Sequence, residues 1–158
     1  MRRHYITLVM LFVIGASSVA ATIDTGDKTM HAKGPFDVKL APLEGYNAEL
    51  GRMSIDKTFH GDLDAVSKGE MLSQFDKQTQ SGGYVAIERV TGALGGKKGS
   101  FTLQHSSTMQ RGQPQQNIVV VPGSGAGELV GLKGSLVVNI DADGAHSYDF
   151  QYSFESSQ

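Results

Sequence analysis

From about residue 30 to residue 154, apolar and polar residues alternate in roughly eight runs, with glycine in most of the turns between them. A period of two sends successive side chains to opposite faces of a pleated strand, so such a chain has no helical face to bury. The first run, Ala32 to Ala41, sets Phe36, Val38 and Leu40 against Asp37 and Lys39. Leu50 to Phe59 follows after the turn at Pro42 to Asn47, and a third, less cleanly patterned run reaches Phe75. Tyr84 to Leu94 and Ser100 to Met109 flank the glycine-rich connection at 95–99, which reads as a hairpin. Ile118 to Val121 is apolar without alternation, as expected of a strand buried on both sides or at a subunit contact. Leu136 to Ile140 and His146 to Phe154 complete the series, the last with His, Tyr and Phe on one face. A single helical turn is expected at most, around Gly127 to Leu132.

Sequential strands with short connections favour an all-β fold, a single antiparallel up-and-down sheet closed into an eight-stranded barrel without exposed edges. At that strand number the lumen is filled by side chains or holds one small ligand. An open two-sheet sandwich is the alternative. The chain has 158 residues, enough for one domain with a substantial core.

Residues 1–21 read as a secretory signal peptide. Arg2 and Arg3 precede the apolar run Ile6 to Ala16, and small residues offer cleavage after Ala20 or Ala21. Residues 22–29 are a polar, flexible linker, and the barrel domain spans 30–156. The expectation is an exported, periplasmic protein without a permanent membrane anchor. The chain has no cysteine, which removes disulfides, thiolate metal sites, cysteine nucleophiles and lipoprotein acylation. A formal net charge of -2 gives no electrostatic case for nucleic acid.

Four polar residues break the pattern in an informative way. Lys57, Glu88, His105 and His146 fall in register with the apolar residues of their runs, where a core side chain is expected. Buried charges must pair or face water. One reading is therefore a Lys57–Glu88 ion pair with hydrogen-bonded histidines lining a barrel end. The other is an active constellation in which Glu88 and His105, as catalytic candidates, exchange protons with a substrate. Tyr84 and Tyr148 share those faces, as does Tyr152. The candidate ligand-binding set is thus Lys57, Tyr84, Glu88, His105, His146 and Tyr148.

Other motifs carry less. His60-Gly61-Asp62-Leu63-Asp64 alternates ligand-type residues in a turn but lacks a converging set, so no metal is expected. Gly123 to Gly127 lacks the Gly-Lys-Ser/Thr ending of a phosphate loop, and Asp141 to Gly144 lacks the remaining calcium ligands. No cofactor is called for.

Met30 to Gly34, Lys57 to Leu63, Tyr84 to Val90, Leu103 to Ser106 and Gly125 to Leu132, taken together, resemble a bacterial domain-of-unknown-function family. Its fold is similar to the allene oxide cyclase barrel, a closed eight-stranded architecture of calycin-like type. The resemblance spans residues 30–154 and implies that barrel but no established activity. Allene oxide cyclases and the similar dirigent proteins hold a lipid or phenolic intermediate in such barrels. Their catalytic residues have no matching motif here, and none is transferred.

Three functions remain open at this point. One is a barrel that binds a small apolar or amphipathic molecule, lipid-like or phenolic, without catalysis. The second is an isomerase-like or cyclase-like enzyme using Glu88 and His105. The third is a structural or oligomeric module, with a homo-oligomer through Ile118 to Val121 one of its forms.

Overall fold

The computed structural model describes residues 28–44 and 49–155. The expected leader at 1–21 lies outside the described residues, as do positions 22–27 of the linker and the turn tip at 45–48.

The alternating runs become strands β1 (Met30–Pro42), β2 (Gly51–Phe59), β3 (Leu63–Asp76), β4 (Ser81–Leu94), β5 (Lys97–Gln110), β6 (Gln113–Val120), β7 (Ala126–Gly127), β8 (Leu132–Ile140) and β9 (His146–Phe154). Hydrogen-bonded neighbours run β4-β3-β2-β1-β9-β8-β6-β5, and β5 pairs back onto β4. The sheet is therefore a closed antiparallel barrel of eight strands, and not a sandwich. The two-residue β7 lies outside the ring, paired to β5 at Gly99 and Ser100.

Closure fixes which face each side chain takes. On β9, Tyr148, Phe150 and Tyr152 point inward and are buried, as the period-two pattern requires. The third run, ambiguous in sequence, is a full-length β3 paired with β4 from Leu63↔Leu94 to Asp76↔Ser81. After Leu63 its inward positions are Ala65, Ser67 and Gly69, small enough that the run lacked an apolar signature.

One expectation needs correction. The apolar stretch at 118–121 does alternate: Ile118 and Val120 are buried in the lumen, while Val119 and Val121 are only half-buried. It is an ordinary one-sided barrel strand that ends in a loop. The segment near 127–132, where a single helical turn is expected at most, is a turn region with the Leu129 N–H donating to the Ala126 carbonyl at 3.3 Å and the Leu132 N–H to the Leu129 carbonyl at 3.2 Å. The Glu128 N–H donates across the chain to the Lys98 carbonyl at 2.8 Å. Leu129 drops from this turn into the hydrophobic core and is buried. That burial, with the Gly99 backbone against Ala126 and the Leu129 Cγ, is what holds the loop to the barrel.

The core is not evenly distributed along the axis. Phe59, Phe101, Phe150, Tyr148 and Leu129 fill one half of the lumen. Ring pairs hold it together: Phe101 and Phe150 stack at 5.7 Å between centroids, and Phe59 meets Tyr148 edge-on at 5.6 Å. The Tyr148 hydroxyl donates to the His60 carbonyl (2.9 Å) and accepts from the Leu63 N–H (2.8 Å), tying the β2–β3 turn to the core. Gly61 in that turn has φ +91°, and a Cβ there would stand 2.7 Å from the Lys33 carbonyl oxygen, so glycine is required.

Candidate functional site

The other half of the lumen is a cavity of about 700 Å³. It opens at the end where the β1–β2, β3–β4, β5–β6 and β8–β9 turns stand. Phe36, Val38, Ile55, Met71, Leu136 and Val138 give it apolar walls. Lys57, Tyr84, His105, Ser107, Gln116 and His146 supply its polar groups.

At the floor, where the cavity meets the packed half, stands a buried polar cluster centred on Glu88, which is fully enclosed. Lys57 Nζ donates to Glu88 Oε1 at 2.8 Å, and His105 Nε2 lies 2.9 Å from the same oxygen. Ser67 Oγ donates to the other oxygen, Oε2, at 2.9 Å. The Lys57 ammonium also stands 5.4 Å from the centroid of the Phe36 ring and 5.7 Å from that of Phe59, a cation–π setting.

Local sequence makes room for this cluster. Glu88 on β4 faces Gly69 on β3 across the ladder, and His105 on β5 faces Ala86 on β4. A side chain at Gly69 would press on the Ile87 carbonyl and lie 2.6 Å from the Glu88 Cβ. Small residues opposite the two bulky polar ones let these lean across the lumen toward Lys57.

Burial by itself pushes the Glu88 carboxyl up. The His105 hydrogen bond, the Lys57 and His105 charges and the Lys57 hydrogen bond outweigh it and hold the group at about 2. Glu88 is therefore a carboxylate at any ordinary pH, saturated by three side-chain donors. A general acid or base needs a pKa near the working pH and access to the substrate. Glu88 has neither.

The sequence-derived candidates thus separate. Lys57, Glu88 and His105 are brought into one hydrogen-bonded cluster, with Lys57 and His105 facing the cavity. His146 is on the cavity wall, packed obliquely on Phe36 at 5.2 Å, and does not join the cluster. Tyr84 lies nearer the mouth, where its hydroxyl accepts from Gln116 Nε2 at 3.2 Å, and burial raises its pKa. Tyr148 lies in the packed half, its hydroxyl committed to backbone. Ser67 was not singled out from sequence. The only available signal was its place two residues after Ala65 and four after Leu63, on a face whose register was uncertain.

The turn His60-Gly61-Asp62 is occupied by structural contacts. His60 Nε2 lies 3.0 Å from Asp37 Oδ2, and Asp62 Oδ2 accepts from the Lys33 N–H at 2.9 Å.

Comparison with curated proteins gives no match. Among solved structures, the chain is similar to a protein of unknown function from the DUF3224 family of Shewanella oneidensis MR-1. The two are 47% identical with a TM-score of 0.78, over 82% of this chain and 100% of that one. The family model described as "Protein of unknown function (DUF3224)" matches residues 32–152, nearly the whole barrel. With the family model matching most of the chain and a family member 47% identical over its whole length, the chain belongs to the DUF3224 family.

Proposed function

We propose that this DUF3224 barrel binds a small amphipathic molecule in the open half of its lumen, apolar body against the walls and polar group against the floor. The observation that carries this reading is the division of the lumen. One half is packed with aromatic rings, while the other keeps about 700 Å³ free above a buried ionic cluster. Small-molecule pockets commonly occupy about 300–1,000 Å³, mostly apolar with a few placed polar groups.

The isomerase reading with Glu88 as acid/base gains no support from this geometry, because the carboxylate is enclosed and strongly ionised. Glu88 instead suits a positioning role, orienting Lys57 and His105 toward the cavity. With the leader expected at residues 1–21, binding would take place outside the cytoplasm.

Native mass spectrometry and thermal-shift screens with apolar and amphipathic small molecules test the proposal. Retained adducts that raise the melting temperature are expected. Widening the wall inward, with Val138→Phe or Ile55→Phe, should abolish them. No adduct across aliphatic and aromatic sets would sink the reading.

A further inference from the structure

The hydrogen inventory of the floor narrows the ligand's chemistry, on the reading that the open half is a ligand cavity. An ionised carboxylate has no hydrogen to give, so the hydrogen in the 2.9 Å contact belongs to His105 Nε2. In a neutral imidazole that leaves Nδ1 as an acceptor. Nδ1 has no hydrogen-bond partner among the described residues, while no buried side-chain nitrogen or oxygen lacks one. Nδ1 must therefore reach the lumen, even though His105 as a whole is only 4% exposed. The Lys57 ammonium carries three hydrogens and gives one to Glu88. Nζ and the imidazole are gathered around a single oxygen, Glu88 Oε1. The floor thus offers the lumen an acceptor, His105 Nδ1, and the remaining hydrogens of Lys57 as donors.

Its charge is already balanced. With the imidazole neutral, Lys57 balances Glu88, and no aspartate or glutamate among the described residues lines the cavity. From this we infer that the ligand's polar group is a neutral hydroxyl, phenolic or alcoholic, on an apolar body. Its O–H donates to His105 Nδ1. A carboxylate would set its lone pairs against that of Nδ1 and place a second negative charge beside Glu88. An ammonium would meet Lys57. A plain hydrocarbon would cover Nδ1 and leave it unpaired, which is costly in an enclosed site.

The test compares one apolar body with different polar groups on the full chain, at mildly alkaline pH. Para-propylphenol, para-propylbenzoate, para-propylbenzylamine and propylbenzene are titrated by calorimetry or native mass spectrometry. The phenol is expected to bind roughly tenfold or more tightly than each of the others, the scale of one buried hydrogen bond made or lost. In His105→Phe the phenol and the hydrocarbon should bind alike. Should that variant fail to fold, nitrogen NMR of the unaltered protein gives a second readout. The phenol, and not propylbenzene, should shift the Nδ1 resonance of His105. A benzoate or benzylamine that binds as well as the phenol, or an unmoved Nδ1 resonance on phenol binding, overturns the hydroxyl assignment and leaves the cavity reading intact. Failure of all four probes to bind overturns both.

Discussion

The two halves of the lumen share the same strands, yet they are built on opposite principles. Toward the β2–β3 and β4–β5 turns, β9 presents Tyr148, Phe150 and Tyr152, and the loop before β8 adds Leu129, so rings and methyls form a packed core. Toward the other end, the same strands present Lys57, His105, Ser107 and His146 among smaller apolar groups, and a cavity remains. Between them the Glu88 cluster is buried like a core but bonded like a site. A barrel of this size can either fill itself or hold a ligand. This one does both, in series.

That contrast can be broken most directly at the boundary. Replacing Glu88 alone by Leu leaves the Lys57 charge buried and unpaired, an expected loss of about 3–5 kcal/mol in urea unfolding. Combining Glu88→Leu with Lys57→Met removes both charges and should restore the larger part of that loss. A single substitution as mild as the pair would show that the floor is open to water, more like the cavity than the core.

Truncation on either side of the boundary compares the halves themselves. Phe150→Ala in the packed half should cost about 3–5 kcal/mol, whereas Met71→Ala on the cavity wall, half-buried, should cost under the roughly 2 kcal/mol at which buried Met→Ala changes begin. Equal losses by chemical denaturation would mean that the two halves are packed alike.

Acid unfolding gives a third measure. The Glu88 carboxyl is held at about 2 in the folded protein, below its ordinary value of 4.5. A depressed folded value means the stabilisation is complete above the ordinary value and fades as pH falls from there toward 2. Its size is on the order of 3 kcal/mol. In Glu88→Gln this acid-dependent step should shrink to what the surface carboxylates leave, and an unchanged slope of stability against pH would contradict the cluster's ionisation.

The smallest expected effect sharpens the division of labour among tyrosines. Tyr148→Phe removes two hydrogen bonds at the packed end, leaving the Leu63 N–H without its partner, and should cost about 1–2 kcal/mol. Any ligand that the cavity binds should be held as tightly by this variant as before, since Tyr148 does not line it. Tyr84→Phe should show the reverse, little loss of stability and altered ligand affinity.

Much of this was legible in the chain. His146 to Phe154 declares its strand and inner face by strict alternation, and the out-of-place Lys57, Glu88 and His105 marked themselves by sharing a face with Phe59, Val90 and Leu103. The third strand was less legible, because Ser67 and Gly69 occupy inward positions without being apolar. Their smallness is what the neighbouring Glu88 requires, a requirement that appears only when β3 lies beside β4. Tyr148 had every sequence mark of a cavity residue. Its distance along the barrel axis from His105 depends on strand tilt and register, which a residue list does not carry.

Sequence alone determined the eight period-two runs of the barrel, the glycine turns and the four polar residues on the inner face. Alternation is a local property, fixed by each residue's neighbours along one strand. Tertiary structure decided which of those residues meet. Lys57 and Glu88 are 31 positions apart, and Glu88 and His105 17 apart, so their bonds exist only because β2, β3, β4 and β5 pair in one register. The same register set the aromatic rings at one end and the smaller side chains at the other. An alternating chain thereby became a barrel half core and half cavity.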